Sequence, residues 1–214
     1  MHLDRLTAYL EGGRPPGGRI DYPGCRDPRP PLRAEPVMLP GLLYFATESL
    51  TWTGGRAFYD PGVEDQLPAR AYLLTLGQFS DIAAQEMFRT PGEDLDLTDV
   101  LSLGRAEIGP GRYETLVRAG RLDGSPILTF TAPWRCADVP WNAPSAAYLR
   151  HIAAGIIAGH RWSARRTAEY LAGCPGAAGR WSVAEIEALV TRDGSPGAQG
   201  PQAPEDPAGR RRNR

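Results

Sequence analysis

Two rhythms of apolar and polar residues divide the chain. Leu3, Leu6 and Leu10 lie on one helical face, and Gly12-Gly13 ends that segment. From Arg14 to Pro40 the chain is dense in proline, glycine and arginine. Pro15-Pro16, Pro23-Gly24 and Pro30-Pro31 predict a long surface connection without regular helix or central strand. Gly41–Ala46 and Arg56–Tyr59 read as short strands, the second stopped by the turn signal Asp60-Pro61-Gly62. The apolar run Tyr72, Leu73, Leu74 and Leu76 predicts a buried strand leading into an amphipathic helix. A further helix is expected near Thr98–Leu103, and Arg112–Arg118 and Ile127–Ala132 form a hairpin pattern around Asp123-Gly124. Three helices follow, opened by Ser145, Ser163 and Ser182, the last with Glu185 in a capping box. Beyond Thr191 the chain falls to Gly, Pro, Ala and charge, so residues 191–214 are expected to be a disordered tail behind one domain over 1–190. The fold class is α+β.

The helix after the Tyr72–Leu76 run carries one residue out of keeping. Phe79, Ile82, Ala83 and Met87 share a stripe, and Glu86 projects from the middle of it. Asp81 and Gln85 fall on the face expected to meet solvent. Burial disfavours a carboxylate and raises its pKa, which suits a group that must take and return a proton near neutral pH. The alternative is structural: Glu86 pairs with an arginine from another element or reaches a groove edge.

Composition narrows the classes. Twenty-four Lys plus Arg against 25 Asp plus Glu give a net charge of −1, which argues against nucleic acid or an anionic membrane as partner. No apolar run approaches the length of a membrane helix. The first residues lack a signal-peptide pattern, and the scattered Cys25, Cys136 and Cys174 offer no disulfide framework or zinc spacing. A cytoplasmic location is therefore expected. His2, His151 and His160 form no metal-binding spacing, so a zinc deacetylase would lack ligands. No nucleophile elbow, phosphate loop or dinucleotide fingerprint is present. Acid/base chemistry without metal or cofactor remains, or none at all.

Several pieces in order resemble the gamma-glutamylcyclotransferase family. They are Thr51-Trp52-Thr53-Gly54-Gly55-Arg56-Ala57, Ala71-Tyr72-Leu73 before a helix ending in Glu86, Tyr113 heading a later strand, and Pro144-Ser145 followed by Tyr148-Leu149 and Gly155. The resemblance spans Met1 to about Ala172. It implies a small mixed β-barrel with flanking helices, and a cavity whose indispensable acid/base matches Glu86. By the same matching, Tyr113 and the loop carrying Trp52, Gly54 and Gly55 line that cavity. The implied ligand is a small gamma-glutamyl compound whose α-amine attacks its own side-chain amide, releasing 5-oxoproline and an amine.

The sequence departs from that family in two places. Family members open with a strand ending in Tyr-Gly-Ser-Asn, whereas Met1 here matches the residue just after that motif. The expectation is a start upstream of Met1, or else a missing strand and binding loop. The long Arg89–Gly111 segment is expected to form a lid or rim. The residues also admit plainer readings: Trp52 as core, Gly54-Gly55 as a turn and Tyr113 as an ordinary strand residue. At the level of function, a binding-only relative and an unrelated amide hydrolase or acyltransferase stay open.

Overall fold

The computed structural model describes residues 3–15 and 20–191. Helix α1 (Leu3–Glu11) precedes strands β1 (Arg33–Pro40), β2 (Leu42–Ala46), β3 (Arg56–Asp60) and β4 (Gln66–Leu73). Helices α2 (Leu76–Glu86) and α3 (Thr98–Leu103) follow, then strands β5 (Arg105–Glu107), β6 (Thr115–Leu122) and β7 (Ser125–Thr131). Helices α4 (Ala146–His160), α5 (Ala164–Gly173) and α6 (Val183–Thr191) complete the described chain. The architecture is α+β. The expected disordered tail begins at Thr191, which closes α6; residues 192–214 lie outside the described residues.

The closed mixed barrel is corrected. Strands pair as β1–β4, β2–β3 and β5–β6–β7, all antiparallel, and none of these sheets closes. The reason lies in where free backbone groups go, since each buried N–H and C=O must find a partner. On β2, the Phe45 N–H donates to Pro175 O (2.8 Å) and Phe45 O accepts from the Asn142 N–H (3.0 Å). Loops therefore cover an edge that a further strand would need. Between β3 and β7 a side chain replaces the ladder: Thr131 Oγ1 donates to Tyr59 O (2.6 Å) and accepts from the Tyr59 N–H (3.3 Å).

Two local expectations also change. The Pro-rich stretch ends in strand β1, with Pro36 opposite Arg70. In a two-stranded sheet β1 is an edge, where a residue without an N–H is tolerated. The Tyr72–Leu76 run is not a buried strand: Leu73 and Leu76 are 40% and 46% exposed, and the run spans the end of β4 and the start of α2. Here burial follows the packing of α2 rather than the density of apolar letters.

The largest core cluster packs α4, α5 and α6 against Leu43, Phe45 and Trp52. A second joins Leu6, Tyr9 and Leu10 of α1 to Ile82 of α2. Those two clusters fix α1, α2 and the loop bearing Trp52, and the candidate site lies among these elements.

Candidate functional site

Helix α2 is set locally by a capping box. Thr75 Oγ1 accepts from the Gln78 N–H (3.2 Å), and Gln78 Oε1 accepts from the Thr75 N–H (3.1 Å), satisfying two donors that a helix start leaves free. At the far end Phe88 adopts φ 58°, and the N–H groups of Met87, Phe88 and Arg89 return to Ala83, Gln85 and Ala84. Glu86 is thus the final helical residue, delivered to the floor of a cleft.

The supposed solvent face of α2 is buried. Asp81 is fully enclosed, its carboxylate accepting from the backbone N–H and Nε of Arg26 at 2.8 and 3.0 Å. Gln85 is 6% exposed and donates to Tyr9 O at 3.1 Å. These side chains are hydrogen-bonding partners for α1 and the 20–30 connection, which cover that face.

Glu86 faces α1. Its Oε1 accepts from Arg5 Nη2 at 2.9 Å, and both side chains are 13% exposed. The same Nη2 donates to Tyr9 OH (2.9 Å), which bonds Tyr22 OH (2.9 Å). The Arg5 guanidinium lies 5.5 Å from the Tyr9 ring centroid and 6.0 Å from that of Trp52, so it is held on aromatic faces as well as by charge. Burial pushes the Glu86 carboxyl above its usual range, with Arg5 pulling the other way. Burial opposes the Arg5 charge and the Glu86 carboxylate favours it, and the guanidinium stays protonated.

The ion pair does not seal the site. A cavity of about 300 Å³ opens beside it, walled by Arg5, Trp52, Arg56, Glu86, Tyr113 and Tyr148 among others. Trp52 is 6% exposed and stacks on Tyr148, with centroids 5.5 Å apart and planes at 12°. It serves core and cavity wall together. Tyr113, two residues ahead of β6, donates from its hydroxyl to Ala57 O (2.9 Å). Burial and the neighbouring Tyr148 and Glu86 raise its hydroxyl well above the ordinary tyrosine value. Burial likewise raises that of Tyr148. Both phenols therefore stay neutral and remain hydrogen-bond donors.

Gly54 and Gly55 do not line this cavity; they dock the Trp52 loop against the start of α4. The Gly55 N–H donates to Ala143 O (2.7 Å), and a Cβ on Gly55 would overlap the Asn142 carbonyl oxygen. Ser145, the cap of α4, donates from Oγ to Trp52 O at 2.8 Å. The glycines let backbone approach backbone, and they position Trp52 rather than ligand. From the Arg89–Gly111 segment, Arg89, Thr90 and Pro91 reach the cavity wall; α3 and β5 pack the rest against β6.

Sequence reasoning missed Arg5, Arg56, Tyr22 and Tyr148 as cavity residues. The family-like Pro144-Ser145…Tyr148 spacing contained a signal for Tyr148. Arg5 lay in plain view on the polar side of the α1 pattern. A larger apolar groove, about 640 Å³, lies between the β1–β4 sheet, the β6–β7 hairpin and the start of α2. It includes none of Glu86, Tyr113, Trp52, Gly54 and Gly55.

Among the described residues, no group of three or more His, Cys, Asp or Glu could hold a metal ion. None of their helices is long and apolar enough to cross a membrane. No family model and no solved structure matches the chain. Among curated proteins, it is similar to histone deacetylase 5 of Arabidopsis thaliana, 28% identical over 189 residues. That similarity covers 80% of this chain and 29% of the plant protein, so the chain spans less than a third of that relative's length.

Proposed function

We propose that this chain is a gamma-glutamylcyclotransferase-like enzyme that releases 5-oxoproline from a gamma-glutamyl amine or peptide. One observation carries the reading: an enclosed carboxyl with a raised pKa, Glu86, stands on the wall of a cavity large enough for a small ligand. In the proposed reaction the ligand's α-amine attacks its own γ-carbonyl carbon, forming the ring C–N bond. Glu86 takes a proton from that nitrogen and returns one to the departing amine as the old amide C–N bond breaks. Tethering supplies proximity, worth an effective molarity of about 10⁵ M or more in well-oriented cases. Proton transfer by a positioned group adds roughly 10²–10⁴-fold. The neutral hydroxyl of Tyr148 is a donor suited to the cavity's developing negative charge, while Tyr113, whose own proton goes to Ala57 O, shapes the wall beside it.

The same proposal reads the three antiparallel sheets as an open relative of that family's small barrel. Metal-independent chemistry and a cytoplasmic setting belong to it. A second reading, a binding protein without turnover, is favoured by the Arg5 hydrogen bond that holds the Glu86 carboxylate. The name of the plant relative suggests deacetylation. That reading gains no ligand set from the described residues, and the similarity covers 29% of that protein.

The test is to assay the full chain on a panel of gamma-glutamyl amines and peptides, with 5-oxoproline followed by mass spectrometry. Turnover of at least one panel member is expected. Binding of gamma-glutamyl compounds without any release would favour the non-catalytic reading, and neither binding nor release would remove both.

A further inference from the structure

Arg56 opens β3 and is 7% exposed, yet its guanidinium has no carboxylate partner among the described residues. Its Nη2 donates to Glu48 O at 3.3 Å, and the guanidinium lies over the Tyr113 ring, 5.7 Å from the centroid. The Glu48 carboxylate is committed elsewhere, accepting from the Gly54 N–H (2.6 Å) and from Asn142 Nδ2 (3.0 Å). Other charged groups on the cavity wall are paired: Arg5 with Glu86, Arg89 with Glu114, and Asp21 with Arg14. Among the described residues the wall therefore carries one uncompensated, buried cation, with most of its five donors unused.

A buried charge without a counter-ion is unfavourable, and an anion that enters the cavity relieves it. Arginine's planar fork matches a carboxylate in two parallel hydrogen bonds. We propose that Arg56 recognises a free carboxylate on the ligand, so that the substrate class is restricted to compounds carrying an unblocked carboxylate next to the reacting amine. This rests on the gamma-glutamyl reading and adds a requirement to it. In such a compound the α-carboxylate and the attacking amine share one carbon. Holding the carboxylate on Arg56 therefore fixes the amine's direction of approach.

The experiment is a calorimetric titration of the full chain with 5-oxoproline and with its carboxamide, repeated with Arg56→Gln and Arg56→Lys. The acid is expected to bind the wild type at least about 10-fold more tightly than the amide, the scale of one hydrogen-bonded charge pair. Arg56→Gln should erase that preference, and Arg56→Lys should keep its direction while weakening it. Equal affinity of acid and amide for the wild type, or binding of neither, overturns the proposal; so does a folded Arg56→Gln that still prefers the acid. If Arg56→Gln does not fold, the wild-type comparison and Arg56→Lys decide. A parallel assay of a gamma-glutamyl amine against its α-carboxamide separates the two claims. Turnover indifferent to α-amidation overturns the role of Arg56 and leaves the enzymatic reading. An Arg56-dependent acid preference without any turnover supports the role of Arg56 and removes catalysis.

Discussion

Arg5 and Glu86, 81 positions apart in sequence, meet through one hydrogen-bonded ion pair, Nη2 to Oε1, at 2.9 Å. Each comes from a different helix, and each is 13% exposed. A pair this enclosed is bound by strong attraction and opposed by the cost of removing two charges from water. Its pairing and its cavity together make Glu86 a group whose proton affinity is set by its surroundings.

Removing one partner should expose that balance. Arg5→Met leaves Glu86 buried without its cation, at a cost of about 3 kcal/mol, the lower end for buried pairs because neither side chain is fully enclosed. The double variant Arg5→Met/Glu86→Gln should recover part of the loss. Urea denaturation at neutral pH measures both. On the proposed cyclotransferase reading, Arg5→Met should also move the acid limb of kcat/KM to higher pH, since the opposing pull on the Glu86 carboxyl is gone.

The pH dependence of stability has a definite sign. Burial raises the folded-state pKa of Glu86 above the ordinary carboxylate value of 4.5, despite Arg5. Between that value and the raised one the folded chain binds more protons than the unfolded chain, so this group makes stability fall as pH rises. The unfolding free energy of Glu86→Gln minus that of the wild type should therefore grow across that window and level off above it. Denaturant titrations at a series of pH values read the difference directly; a difference that is flat with pH would deny the raised pKa.

Gly55 should not tolerate a methyl group. Gly55→Ala drives a Cβ into the Asn142 carbonyl, and such overpacking typically costs about 1–3 kcal/mol. Because the same loop carries Trp52, the variant should also lose turnover beyond its loss of stability. Thermal unfolding and activity below the transition temperature separate the two effects.

Phe88 carries the opposite expectation. It is 67% exposed and sits at φ 58°, a conformation that costs a non-glycine residue roughly 1–2 kcal/mol. Phe88→Gly should raise stability by about 1 kcal/mol in urea denaturation. A loss instead would mean that the ring's contacts outweigh the strain.

Local signals carried much of the fold into the sequence. Ser145, Ser163 and Ser182 cap the helices that the sequence pattern has them open, and Asp123-Gly124 makes the β6–β7 turn with both residues at positive φ. Each depends on neighbours within a few residues. Strand β1 was hidden because proline density obscures an edge strand, where a missing N–H costs little. The buried Asp81 and Gln85 were hidden because a polar helix face looks the same whether it meets water or a hydrogen-bonding partner. Glu86 was legible as an apolar-face carboxylate. Arg5 and Arg56 were not, since charge compensation across a fold leaves no periodic trace. Barrel closure likewise depended on which distant backbone reached the β2 edge.

The proton-transfer role given to Glu86 is tested most directly by single-turnover release of 5-oxoproline from the best panel substrate, comparing the wild type with Glu86→Gln. Both proteins should show the same circular dichroism spectrum. The variant should be slower by roughly 10²–10⁴-fold, the range of general acid–base catalysis. Release at the wild-type rate from a folded Glu86→Gln would contradict that role.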